Sequence, residues 1–501
     1  MKTILFLTVF LFLASSTFAQ QESSTENYSF IVENGFKSTT LDPLSTLSID
    51  GDGASYSNIR RFLNRNQLPM RDAVRIEEMV NYFDYNFFNA TPEADAPFTV
   101  NTELVTCPWN QKASLLLGVG LKGEKLNVKK APQSHVVFLV DVSASMKSEN
   151  KMSLVKPTLK MLVDQMRDVD KLSIIAFDKK AKLSLPTISV LNKDTIYQVI
   201  DSFKGEGIAS LGDALHLAYQ VARENYLPAG DNRIILATDG DFEIGYAGEL
   251  ALMELVDQFR QEGISLNALG FGMGNYNDSK LELLAYRGNG KFYYIDNLLE
   301  AKKIFMTDLA VTMYTLANDV KIQIEFNPKY IKAYRLIGYE NRIMNKEDFN
   351  NDNIVAGTLG AGQGLTVLYE IIPEPSDISV AGENVDSLRY QQSNLTNAGQ
   401  SSGELMNLKI RYKDPKNNRS QLISRRLAMS WQTFDNASED MRWAASVAAF
   451  GLLLRDSKEV KNLTYDGVLE LAQYAKNTDR HGYRNECIKL MESAKLLSGK
   501  Q

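Results

Sequence analysis

Cysteine is nearly absent from this chain: 501 residues contain two, Cys107 and Cys487. That excludes a dense disulfide framework. A single bridge between the two stays open, because separation in sequence does not fix distance in space. Histidine is almost as scarce, at three: His135, His216 and His481. No motif ties any of them to a nucleophile, so each reads as structural. The chain also lacks a Gly-x-Ser-x-Gly elbow, a phosphate-binding glycine loop and a zinc-ligand cluster. It has no long basic run, and its net charge is −6. Nucleic acid is therefore not the expected partner. Beyond the first residues no apolar stretch is long enough to span a bilayer, so the protein is not expected to be integral to the membrane.

What is present is enough apolar residue, 44%, for sizeable cores, on a length that suits roughly three domains. Residues 1–19 read as a secretory signal. Lys2 supplies the positive start, Ile4 to Ala14 the apolar stretch and Thr17-Phe18-Ala19 the small-residue end. The expected location is the periplasm, the cell envelope or the exterior.

Residues 20–133 read as an N-terminal region with helices over 54–63 and 71–83 and two strands, 98–106 and 114–121. The strands have no local partners, so they are expected to join strands from later in the chain. Residues 134–316 alternate strand and helix, as a doubly wound, mainly parallel α/β sheet does. Its strands are placed at 136–140, 171–177, 182–190, 233–237, 265–271 and 291–295, with a last helix over 299–316. Pro157 requires the helix over 153–166 to hold it in the first turn. From residue 317 to 435 the period turns to strands, which with the two early ones suggests a β-sandwich; 376–403 reads as a long, mobile loop. Residues 436–501 form a helical tail. Asp50-Gly51-Asp52-Gly53 and Asp348-Phe349-Asn350-Asn351-Asp352 resemble the start of calcium loops. Both lack the closing Glu and read as turns.

The informative stretch is Asp141-Val142-Ser143-Ala144-Ser145, directly after the apolar run Val136 to Val140. One carboxylate and two hydroxyls on alternate residues stand at a strand's carboxyl end, where open α/β sheets bind ligands. Oxygen ligands of this kind suit a hard cation such as Mg²⁺. The strand over 233–237 ends in Thr238-Asp239-Gly240, which puts Asp239 at the same end of the sheet. A third loop, Gly207 to Asp213, precedes a helix.

These three segments resemble the metal-ion-dependent adhesion site of von Willebrand factor type A domains. The flanks resemble bacterial secreted type A domain proteins with an associated N-terminal region and an uncharacterised C-terminal domain. The segments that carry this likeness are Arg60-Arg61-Phe62-Leu63-Asn64, Arg75-Ile76-Glu77-Glu78-Met79, Asn462-Leu463-Thr464-Tyr465 and His481-Gly482-Tyr483-Arg484. The resemblance implies a type A sheet in or beside the sandwich, and a Mg²⁺ or Mn²⁺ ion bound directly by Ser143 and Ser145. Asp141 and Asp239 would act largely through water. The family's middle-loop threonine falls on Ala209, which has no side-chain oxygen; either Ser210, one residue on, or a water is expected to fill the gap, and either substitute weakens the site.

The implied function is a secreted, non-catalytic adhesion module that captures an acidic group on a protein partner. The alternatives are a metal-free scaffold of the cell envelope and, behind it, a metal-dependent hydrolase. For the hydrolase, Ser143 would need a base that the sequence does not offer.

Overall fold

The strand Ser134–Asp141 is buried along its whole length, as an apolar run covered on both faces must be. It pairs in parallel with Lys171–Phe177 on one side and Asp231–Thr238 on the other. Beyond the latter lie Ile264–Phe271 and Phe292–Ile295, also parallel. The opposite edge is Ala181–Ser189, which runs antiparallel. Alternate residues of the central strands serve opposite layers. Val137, Leu139, Ile234 and Leu236 pack with Leu215 and Tyr219, whereas Val136, Phe138, Val140 and Ile235 pack with Val155 and Leu159. The fold is a doubly wound α/β sheet with helices on both faces.

The computed structural model describes residues 25–499 apart from 86–90, 93–95, 111–112, 128, 130, 244–247, 309–312, 381–394, 461 and 477–478. The stretch read as a signal, 1–19, lies outside the described residues. So does the middle of the loop read over 376–403, of which Asn397–Ser401 is a short helix.

Three helix expectations are corrected. Pro157 lies in the second turn of Met152–Gln165, not the first. It leaves the Ser153 carbonyl without a helical donor, and Ser153 is exposed, so water can serve instead. The single helix read over 71–83 is a 3-10 turn, Arg71–Ala73, and a helix, Ile76–Asn81. Between them Arg75 is extended, with its guanidinium buried against Glu78 and Asp278. The helix read over 299–316 is Leu298–Lys302 followed by a π turn, Lys303–Thr307, and a strand already begins at Thr315. Pairing of that strand with Gly357–Gly360 outweighs the local helical pattern.

The remaining strands form two antiparallel sheets. One runs Lys37–Ser38, Ile331–Ile337, Gly364–Pro373, Leu115–Gly123, Phe98–Thr106, Thr91–Pro92. The other runs Gly357–Gly360, Thr315–Phe326, Glu404–Lys413, Ser420–Ala428, with Leu44–Ser48 also on Thr315–Phe326. The early strands do pair with late ones, Leu115–Gly123 with Gly364–Pro373 among them. The inner faces meet around Val100, Val119, Ile322, Ile324, Val367 and Leu408, giving a sandwich.

The tail helices Glu439–Leu454, Tyr465–Ala475 and Tyr483–Ser498 share one core with the N-terminal region. Trp443, Val447 and Phe450 meet Tyr56, Met79 and Phe83 there. Ser438 and Thr464 cap the first two by accepting from Met441 N and Gly467 N. Cys107 and Cys487 are free, buried thiols in this same core. Among the described residues no helix is long and apolar enough to cross a membrane.

Candidate functional site

Asp141 is the last residue of its strand and Thr238 the last of the neighbouring one. The strands are parallel and adjacent, so their carboxyl ends meet. Thr238 Oγ1 donates to Asp141 Oδ2 at 2.6 Å, and Ser143 N donates to Asp141 Oδ1 at 2.9 Å. Asp141 is fully buried. Burial pushes its carboxyl up to about 6, against the pull of the Thr238 and Ser143 hydrogen bonds, and neighbouring Asp239 adds to the rise. Ser143 and Ser145 turn their hydroxyls toward each other, 3.1 Å apart.

The surrounding loops are tied together by backbone bonds. Ala144 N donates to the Gly207 carbonyl at 2.9 Å, and Glu206 N returns a bond to Val142 at 2.8 Å. Glu243 N reaches the Ala209 carbonyl at 2.9 Å, and Leu211 N reaches the Glu243 carbonyl at 3.0 Å. Asn277 N donates to the Asp239 carbonyl at 3.1 Å. Gly240 lies between these loops with φ at +80°, where a Cβ would come within 2.8 Å of the Asn277 carbonyl oxygen. Only glycine fits both demands. Behind the last loop Thr25 N donates to the Gly274 carbonyl at 2.7 Å, and Glu26, paired with Arg61, accepts from Gly274 N at 2.8 Å.

The middle loop departs from the other two. Ala209 is buried and packs in the core below the sheet end. Ser210 is half-buried and stands at the N-terminus of Leu211–Glu224, yet its hydroxyl does not cap that helix. No hydrogen bond joins it to Asp141, Ser143, Ser145 or Asp239 among the described residues, although its hydroxyl is free of the capping role.

Two residues that sequence reasoning missed complete the site. Lys151 Nζ lies 2.8 Å from Asp239 Oδ2 and 2.7 Å from Asn275 Oδ1. Asn275 Nδ2 donates to Asp239 Oδ2 at 3.1 Å and to Asp241 Oδ2 at 2.7 Å. Asp239 Oδ1 accepts from Asp241 N at 2.9 Å. Nothing in the segment 147–151 marks which of its lysines turns inward.

The donor set fits a hard divalent cation in kind. Ser143 and Ser145 offer adjacent neutral oxygens, and Asp141 and Asp239 offer carboxylates. It departs from the type A pattern in two places: the methyl of Ala209 and the ammonium of Lys151. A second acidic group, Asp50, Glu78 and Glu282, gathers three buried carboxylates within 4.8 Å. Arg342 pairs with Asp50 at 2.8 Å and with Glu282 at 3.0 Å, and Arg75 pairs with Glu78. Its charge is already answered by arginine, so it is an ionic junction between the N-terminal region, the α/β sheet and the sandwich. The turn read at Asp50-Gly51-Asp52-Gly53 belongs to this junction and is largely buried.

The type A domain family of von Willebrand factor matches residues 135–307, and a family described as von Willebrand factor matches 22–117. The family described as the C-terminal domain of uncharacterized protein YfbK matches 311–497. Uncharacterized protein YfbK of Escherichia coli K12 is 40% identical over 475 residues, 94% of this chain and 81% of the relative. The chain belongs to this family of von Willebrand factor type A domain proteins. Uncharacterized protein sll0103 of Synechocystis is 30% identical over 172 residues, 34% of this chain and 40% of the relative. A solved von Willebrand factor type A structure from Catenulispora acidiphila aligns at TM-score 0.44 and 15% identity, over 81% of this chain and 90% of that one. Type A domains mediate protein–protein interactions and commonly bind a metal ion at a site of this kind.

Proposed function

We propose that the protein is an exported, non-catalytic binding module whose working face is the loop end of its α/β sheet. The observation that carries this reading is the 3.1 Å approach of the Ser143 and Ser145 hydroxyls beside Asp141, which Thr238 holds in place. In this reading Ser143 and Ser145 hold a Mg²⁺ or Mn²⁺ ion directly. Asp141 and Asp239 act through water, and Ser210 supplies the middle loop's oxygen. Bound there, the ion offers an open position that attracts an acidic side chain of a protein partner. Neutral hydroxyls as direct ligands leave its charge available for that contact.

The placement of the histidines supports a non-catalytic role. His135 sits near the opposite end of its strand from Asp141, roughly 20 Å away at the rise of a β-strand. His216 is exposed on the helix Leu211–Glu224, and His481 is exposed in the turn before Tyr483–Ser498; among the described residues neither is bonded to Ser143. The signal read over 1–19 supports export, to the periplasm, cell envelope or exterior. A metal-free scaffold is the second reading, and the Lys151–Asp239 ion pair favours it.

Calorimetric titration with Mg²⁺ and Mn²⁺ separates the two. The metal reading expects binding that Ser143→Ala abolishes. No detectable heat at millimolar ion in the wild type and in variants relieved of Lys151 leaves only the scaffold.

A further inference from the structure

Lys151 has a built seat at the candidate metal face. Its side chain is 6% exposed. The ammonium lies between Asp239 Oδ2 and Asn275 Oδ1, at 2.8 and 2.7 Å. The aliphatic stem crosses Gly272, where a Cβ would stand 2.3 Å from Lys151 Cε. Gly272 has φ at +82°, so two constraints keep that position bare. The Lys151 backbone is fixed as well. Its N–H donates to the Ser148 carbonyl at 3.0 Å, and its own carbonyl accepts from Leu154 N and Val155 N at 2.8 and 2.9 Å. Its own loop and the Gly272–Asn275 loop therefore hold this one cation against Asp239.

We propose that Lys151 is an internal competitor for the divalent ion. This rests on the reading of the face as a metal-ion site. Asp141 and Asp239 supply its two negative charges, and the ammonium cancels one of them. A divalent ion entering a buried site within a few ångströms of an ammonium meets repulsion that water screens poorly. Accommodating it requires Lys151 to leave Asp239 and Asn275 and to give up both bonds. Ala209 adds no oxygen to offset that loss. The lysine thus sets the ion affinity of this chain well below what the Asp141–Ser143–Ser145 constellation could reach alone. Asn275 bridges Asp239 and Asp241, so it keeps the carboxylate oriented for whichever cation is present.

The test is calorimetric titration of the full chain with Mg²⁺ alone and Mn²⁺ alone, alongside thermal melts with ion or with EDTA. The forms compared are wild type, Lys151→Met, Lys151→Gln, Lys151→Arg, Ser143→Ala and the Lys151→Met/Ser143→Ala double variant. Lys151→Met and Lys151→Gln are expected to bind at least tenfold tighter than wild type and to gain thermal stability from the ion. Lys151→Arg, which keeps the charge, stays as weak as wild type, and the double variant loses the gain. Two Lys151 substitutions of different polarity are used so that a folding defect in one does not decide the result. Equal affinity in wild type, Lys151→Met and Lys151→Gln, abolished by Ser143→Ala, overturns the role of Lys151 and leaves the metal site standing. Absence of binding in every form overturns the metal site and the competition with it.

Discussion

Thr238 donates its hydroxyl to Asp141 at 2.6 Å across two adjacent parallel strands. The bond ties together the two strand ends that carry the candidate site. Thr238 Oγ1 also accepts from Gly240 N at 3.1 Å, so the same hydroxyl shapes the turn after Asp239. Thr238→Val keeps the side-chain shape and removes both bonds. Asp141 Oδ2 is then buried without this donor, at a cost of about 1–3 kcal/mol. Urea unfolding of wild type, Thr238→Val, Asp141→Asn and the double variant checks this. A coupling energy near zero would show that the bond contributes nothing.

The ionic junction makes a larger prediction. Arg75 and Glu78 are 1% and 0% exposed, and Arg75 also pairs with Asp278 at 2.5 Å. Arg75→Met strands two buried carboxylates, which costs about 3–5 kcal/mol. Lys193 and Asp164 form a pair at 2.9 Å that is 42% and 52% exposed. Lys193→Met there should cost less than about 1 kcal/mol. Chemical denaturation of the two variants side by side reads the difference, and similar losses would mean that burial of the junction does not govern its strength.

Where the sequence was legible, the cause was local. Val136 to Val140 reads as a buried strand because every side chain is apolar, and Asp141, Ser143 and Ser145 lie in one short loop. Lys151 was not legible, because its inward turn depends on Gly272 and Asn275 from a different loop. The same reason hides the break at Arg75. Its helical period is sound, but Asp278, the first residue of the helix Asp278–Arg287, draws the guanidinium inward and the backbone follows. Leu44–Ser48 lies in a turn-rich stretch and becomes a strand only because Thr315–Phe326 offers it an edge.

His135 gives the pH dependence. Burial, with Lys171 nearby, pulls its imidazole down to about 4 from 6.5. Its Nε2 faces Ser173 Oγ at 3.0 Å, and Nδ1 is buried without a hydrogen-bond partner among the described residues. The unfolded chain therefore binds a proton that the folded one refuses between pH 6.5 and 4. Stability from this group is complete above pH 6.5 and falls as the pH drops toward 4, by about 3 kcal/mol in all. His135→Leu removes the titration. Unfolding free energies at pH 7 and pH 4 should show the wild type losing that much more than the variant, and parallel losses would contradict a buried neutral imidazole.

Gly451 tests how the tail is joined to the rest. A Cβ there would meet Ile76 Cγ1 at 2.9 Å and Met79 Sδ at 3.1 Å, so the helices Glu439–Leu454 and Ile76–Asn81 touch at a bare backbone. Gly451→Ala asks Ile76 to shift by tenths of an ångström and gains up to about 1 kcal/mol of helix propensity, leaving stability nearly unchanged. Gly451→Leu has no such room and should cost about 1–3 kcal/mol through overpacking. The strain would not stay in the tail. Ile76–Asn81 carries Glu77, which accepts from Tyr339 N at 2.8 Å, and Glu78, which accepts from Ser55 N at 2.7 Å. Pushing that helix aside disturbs both bonds and the Arg75 pair beside them. Hydrogen exchange on Gly451→Leu is therefore expected to show faster exchange at the Ser55 and Tyr339 amides, with the Ser134–Asp141 strand unchanged. Protection lost only within the tail helices would mean that they pack as an independent unit.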